Sequence, residues 1–189
     1  MEGEKIYRAF LETGKIWIKE LDFYGDHQFK QSTEESAWSI GQVYDHLVNG
    51  TYAYHLKHIE QCIAGGDENK LLKKNLRGKF LFFFGSFPNM KIKGMPADNY
   101  TPAQPENPMK MKDDFYRFIK VMQKTAKVID SSKSEGKTLH PTLGWLNALE
   151  WFKLIEMHFR HHLRQKARLD KSIRSIFKAV PEHDAHLEI

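Results

Sequence analysis

From Gly144 to Phe177 an apolar residue recurs every third or fourth position, and after Gly144 no glycine or proline interrupts the run until Pro181. That spacing predicts a long amphipathic α-helix with one face turned to an interior. Three other segments carry the same period: Lys5 to Leu21, Ser39 to Ala64 and Lys112 to Asp130. Four helices in a chain of 189 residues can enclose one core, so the expectation is a single domain over residues 1–189. Its predicted class is all-α, an up-down four-helix bundle with a long crossover connection between the second and third helices.

Local signals support these segments. Ser36 or Ser39 can accept from the free N–H groups at the start of the second helix, and Gln42 stands three residues after Ser39 as in a capping box. Gly65 and Gly66 mark its end, while Asp113 and Asp114 suit the positive end of the third helix. The connection between them opens on "KFLFFFGSF", readable as a buried strand or a short helix, and continues through Pro88, Pro96, Pro102, Pro105 and Pro108, which preclude long regular structure. Phe80 to Phe84 are expected to be buried, most of them in the core, with part of this connection available as a pocket wall.

Composition narrows the chemistry. Cys62 is the lone cysteine, so any metal must be held by histidine or carboxylate ligands. Lys+Arg exceed Asp+Glu by 29 to 24, and the excess reads as scattered, so no nucleic-acid partner is expected. The opening "MEGEKIYRAFLETGKIW" has no leader pattern and no stretch approaches a membrane span. The expectation is a cytoplasmic protein without a membrane partner.

The histidines carry the functional signal. Residues four apart on an α-helix differ by about 40° in direction. His158 and His162 therefore share the inward stripe that Trp151, Leu154 and Leu169 define, with Gln165 one turn beyond on the same face, while His161 falls at its edge. Two inward imidazoles make half of a divalent-metal site, and a tight site needs a third ligand from another helix. His46 is the best candidate, since it shares a largely apolar side of the second helix with Val43, Leu47 and Tyr54. His55 lies about 180° and His58 about 120° from His46 on a regular helix, so both are expected to face solvent. His27 reads as a loop residue, and His183 and His186 lie beyond Pro181. Asp45 points about 100° from His46, as a solvated or supporting residue. Tyr44 and Tyr54 are candidate phenols near the site, with core packing as the competing role. His140 in "HPTLG" is a candidate pocket residue whose alternative is turn packing.

"WSIGQVYDHL" and "HPTLGWLNALEWFKLIEMHFRHHLRQ" resemble the two diagnostic segments of the DinB-like, or YfiT-like, metal-dependent hydrolase superfamily. The nearest likeness is to an uncharacterised branch whose fourth-helix motif runs HP, G, then HxxHHLRQ. The resemblance implies a four-helix bundle holding a divalent metal, Zn²⁺ or Ni²⁺, on His46, His158 and His162, with His161 the competitor for the last position. His161, Gln165, Tyr44 and His140 are then supporting or pocket residues, and no catalytic residue is assigned. The implied chemistry is hydrolysis, or S-transfer from a low-molecular-weight thiol cosubstrate, on a small-molecule substrate by a homodimer. The alternative is a non-catalytic metal- or ligand-binding stress-response protein.

Overall fold

The computed structural model describes residues 1–32, 38–69, 71–88 and 101–179. They are predominantly α-helical, with one two-stranded sheet. In chain order the elements are α1 (Glu2–Glu20), α2 (Asp26–Lys30), α3 (Ile40–Gly50), a π-helical turn (Thr51–His55), α4 (Leu56–Ile63), α5 (Leu76–Phe84), α6 (Pro108–Ser131), β1 (Lys137–His140), β2 (Gly144–Asn147) and α7 (Ala148–Ala179). Among the described residues no helix is long and apolar enough to cross a membrane.

The long helices pack through aromatic rings. Phe10 of α1, Phe115 and Phe118 of α6, and Phe159 of α7 are fully buried. Phe159 meets Phe10 edge-on at 5.1 Å and stacks on Phe118 at 5.5 Å, within the range where ring pairs add to plain burial. Trp17 of α1 donates its indole N–H to the Phe159 carbonyl (3.2 Å) and accepts at its own carbonyl from the Tyr44 hydroxyl (2.7 Å). α1, α3 and α7 are thus pinned together at one level. Below it, Lys166 is buried between Glu20 and Asp170 (2.7 Å to each), which satisfies a charge that would otherwise be costly inside.

Helix ends follow the residues that can close them. Ser39 accepts from the Gln42 N–H while Gln42 reaches back to the Ser39 N–H, so the expected capping box forms. The first N–H groups of α1 are closed from elsewhere: Asp130, near the end of α6, accepts from Gly3 and Glu4 (2.8 and 2.9 Å). A Cβ at Gly3 would lie 2.8 Å from the Ala126 carbonyl, so only glycine allows α1 and α6 this close. The third helix starts a turn earlier than predicted, at Pro108, with Asn107 as its cap.

The connection after α5 returns across the start of α3. Ala103 N–H donates to Asp45 (2.9 Å), Gln42 donates to the Pro102 carbonyl (3.1 Å), and the Ser39 hydroxyl donates to Gln104 (2.6 Å). Asp45 is therefore buried and structural, where a solvated or supporting role was expected. Part of this connection, like Ser36, His183 and His186, lies outside the described residues.

Four expectations are corrected. Gly144 does not begin a helix: Gly144–Asn147 pairs antiparallel with Lys137–His140, and α7 starts after an Asn147–Glu150 capping box. The predicted second helix is interrupted by the π turn, where Gly50 and Thr51, two weak helix formers, stand side by side. Of "KFLFFFGSF", Lys79–Phe84 form the end of α5 and Gly85 closes it, and Phe80, Phe83 and Phe84 point outward, 63%, 83% and 67% exposed. Only Leu81 and half-buried Phe82 turn inward, because Gly78 packs that side of the helix against the hairpin at Leu143. His27 lies in α2, exposed, instead of in a loop.

If the aromatic layer organises the core, Phe159→Ala costs about 3–5 kcal/mol of unfolding free energy. Urea denaturation followed by far-UV circular dichroism measures it; a loss below about 1 kcal/mol would show that the layer collapses without penalty.

Candidate metal centre

The cap at Ser39 sets the phase of α3 and turns His46 toward α7, whose unbroken helix places His158 and His162 one turn apart. His158 Nε2 lies 3.2 Å from His46 Nε2 and 2.9 Å from His162 Nε2. The ligating atoms of all three residues lie within 4.8 Å of one another, and the group contains no carboxylate or thiolate. Each residue is half-buried.

Protons alone serve this arrangement poorly. His162 Nδ1–H donates to Gln165 Oε1 (2.6 Å), which leaves the His162 Nε2 lone pair facing the centre. A proton on His158 Nε2 can be shared with its two neighbours, but His158 Nδ1, sealed from solvent, then has no hydrogen-bond partner among the described residues. Burial, joined by the neighbouring imidazoles, holds His158 well below the ordinary 6.5 and His162 at about 3; burial also lowers His46. All three rings are neutral at pH 7, the form in which imidazole ligates a metal. Zinc–imidazole bonds of about 2.0–2.1 Å at tetrahedral angles set ligand nitrogens about 3.3 Å apart. The observed spacings are close to that, and the donor set fits a divalent ion with positions to spare.

Aromatic groups surround the cluster. The Trp38 ring lies 5.0 Å from His46, and the Phe87 ring lies 5.2 Å from His161 and 6.4 Å from His158. The connection after α5 therefore supplies a wall through Phe87, whereas the exposed rings of α5 do not. His161 stands outside the triad, lowered by burial and by Arg164 and Arg168. Gln165 touches the triad only through its hydrogen bond from His162. Tyr44 does not join the site: its hydroxyl is spent on the Trp17 carbonyl and its ring packs on Trp17, Phe29 and Phe115.

Two histidines expected in solvent are not there. Nine residues of α-helix put His55 opposite His46, but one extra residue in a π turn sets the phase back by about 100°. His55 consequently turns inward, its ring 5.6 Å from His158 and 5.9 Å from Trp151, with Nδ1 buried and lacking a partner among the described residues. His58 stacks on Trp151 at 4.3 Å and meets Thr138 Oγ1 through Nδ1 (3.0 Å). The same Thr138 oxygen accepts from the Trp151 indole (2.8 Å). His140 accepts from the Thr142 N–H (3.1 Å) and lies against Trp151 at 5.2 Å. Its role is turn packing, and with Tyr54, His55 and His58 it forms a second aromatic group around Trp151. The weak pair Gly50–Thr51 is the sequence signal that could have found His55, and the aromatic connection read as a possible pocket wall contributes one ring, Phe87.

Comparison with protein-family models, curated proteins and solved structures returned no match.

The buried imidazoles make stability depend on pH. His55 and His162 are held at about 3 and His140 at about 4, chiefly by burial, and His158 well below 6.5. Below about pH 6.5 the unfolded chain binds protons that the folded chain does not. Stability of chelator-treated protein therefore falls as pH drops from about 6.5 toward about 4, by up to about 1.4 kcal/mol per pH unit for each imidazole that stays unprotonated in the fold. Urea midpoints across that range measure it; a flat profile would mean that these rings take up protons in the folded state.

Proposed function

We propose that this chain is a DinB-like four-helix-bundle enzyme that holds a divalent metal, zinc or nickel, on His46, His158 and His162 and acts on a small molecule. The helices of that bundle are α1, α3 continued through α4, α6 and α7. The observation that carries the reading is the convergence of three neutral Nε2 atoms from two helices on one point, with no acidic group among them. The order of the two resembling segments along the chain supports it further.

Three protein ligands leave coordination positions open, the mark of a catalytic rather than a structural site, and a divalent ion there supplies a Lewis acid. The chain's own residues do the rest. Gln165 holds His162 in the tautomer that presents Nε2. Trp38 and Phe87 keep water from two sides of the cluster and so strengthen electrostatic attraction within it. Neutral ligands leave the full double charge of the ion to attract an anionic nucleophile. The triad holds no carboxylate that could serve as general base, which favours a nucleophile that ionises readily, a low-molecular-weight thiol, over water. S-transfer to an electrophile is therefore preferred to hydrolysis.

Protein purified without a nickel column, then loaded with zinc and dialysed, is expected to retain about one equivalent per chain by elemental analysis. His46→Ala with His158→Ala should abolish retention, and full retention in that variant would sink the site. Gln165→Leu should weaken zinc binding about 10–100-fold while leaving the far-UV spectrum unchanged; unaltered affinity would remove Gln165 from the centre. Turnover of model electrophiles only when a thiol such as bacillithiol is added supports S-transfer. Thiol-independent turnover would reassign the activity to hydrolysis, and inactivity of the zinc-loaded protein toward every electrophile would leave metal or ligand binding as the function.

A further inference from the structure

The outward side of α5 exposes Leu76, Phe80, Phe83 and Phe84, spaced i, i+4, i+7 and i+8, so that four large apolar side chains share one stripe. They pack only loosely on one another, with Phe80 and Phe84 parallel at 6.4 Å and Phe83 edge-on to Phe84 at 5.2 Å. Leu71, just before the helix, is 83% exposed as well. The opposite side is what fastens the helix: Gly78 and Leu81 are buried, and Phe82 lies under the Lys74 ammonium at 5.2 Å. Such a stripe on a folded domain marks an interaction surface.

Charge identifies the occupant. The basic excess, expected to be scattered, is gathered here: between Glu68 and Asp98 the sequence holds seven lysines and arginines and no acidic residue, more than the net charge of +5 of the whole chain, so the rest of the chain is net negative. Lys73, Arg77 and Lys79, beside the apolar stripe, are exposed. A second copy docked face to face about a two-fold axis would bring the same cations together, which disfavours self-association here. The exposed groups are phenyl and isobutyl side chains without hydrogen-bonding atoms, carried on a convex single helix. A bilayer interface receives such a wedge without needing a complementary shape, and its headgroup phosphates meet the flanking cations.

We propose that the outward face of α5 is a peripheral docking surface for an anionic phospholipid membrane, with Phe80, Phe83 and Phe84 entering the interface and Lys73, Arg77 and Lys79 meeting phosphate. The sequence reading set a membrane partner aside because no segment can span one; a surface contact needs no span. Phe87, three residues beyond Phe84, packs on His161, so this surface adjoins the histidine cluster. The proposal does not depend on what that cluster binds.

Flotation of the full chain with vesicles of phosphatidylcholine, with and without phosphatidylglycerol, tests it. Binding is expected to the anionic vesicles, to weaken as salt is raised, and to be slight with phosphatidylcholine alone. Phe80→Ser, Phe83→Ser and Phe84→Ser together should weaken partitioning at least about tenfold. Arg77→Gln with Lys79→Gln should weaken it about fivefold for each cation removed; both side chains are exposed, and this pair carries the test should the serine variant lose stability. Failure to bind anionic vesicles, or equal binding by wild type and both variants, overturns the proposal. So does a wild-type dimer that the serine substitutions dissociate without any vesicle binding, which would assign the face to a second copy. Binding of an acidic peptide in place of the vesicles would assign it to a protein partner and overturn the proposal equally.

Discussion

Three imidazole nitrogens facing one point inside a protein hold fewer protons than they have contacts to make. Around His46, His158 and His162 the remedies are visible. Gln165 accepts a hydrogen bond from His162 Nδ1–H, which keeps that ring's proton away from the centre, and burial keeps the rings neutral. The price in stability is borne by the aromatic layer of Phe10, Phe115, Phe118 and Phe159 immediately behind the cluster. Trp17 links the two, since its indole holds the carbonyl of Phe159, the residue next to His158, while its own carbonyl holds Tyr44, two residues before His46. Displacing α1 would therefore disturb both ligand-bearing helices at once.

The π turn extends this arrangement. By setting back the phase of the chain between His46 and His58, it brings His55 and Tyr54 toward Trp151, which the hairpin also approaches through Thr138 and His140. π turns recur beside functional sites because they aim side chains that a regular helix would turn away. Here the result is a second group of imidazoles on the far side of His158, whose Thr138 hydroxyl joins the Trp151 indole and His58. The hairpin is thus a support for the front of α7 and not an ornament at its end.

α5 shows the opposite logic. Its inward side is fastened to the hairpin by Gly78, by Leu81 and by Asn75, which donates to the Leu143 and Thr142 carbonyls, while Phe80, Phe83 and Phe84 are left outside with exposed cations beside them. An aromatic run in a sequence is ordinarily core, because burying a phenyl ring is worth roughly 2–3 kcal/mol. That expectation fails here because a nine-residue helix held along a single narrow line can bury only the side chains on that line. The run expected to complete the interior thus places three phenyl rings on the outside.

The runs of α1, α6 and most of α7, the capping box at Ser39 and the inward directions of His46, His158 and His162 are legible in the sequence, since period and capping are local properties of consecutive residues. The Asn147–Glu150 box was equally legible and would have separated the hairpin from α7. Tertiary structure alone decided that His46 meets the α7 pair, because a distance between residues more than a hundred positions apart depends on how two helices pack. It also decided the inward turn of His55, the stacking of His58 on Trp151, the exposure of Phe80, Phe83 and Phe84, and the removal of Tyr44 from the site. In each case the side chain's direction follows from the helix it stands on, but what it meets there is set by a neighbour far away in the chain.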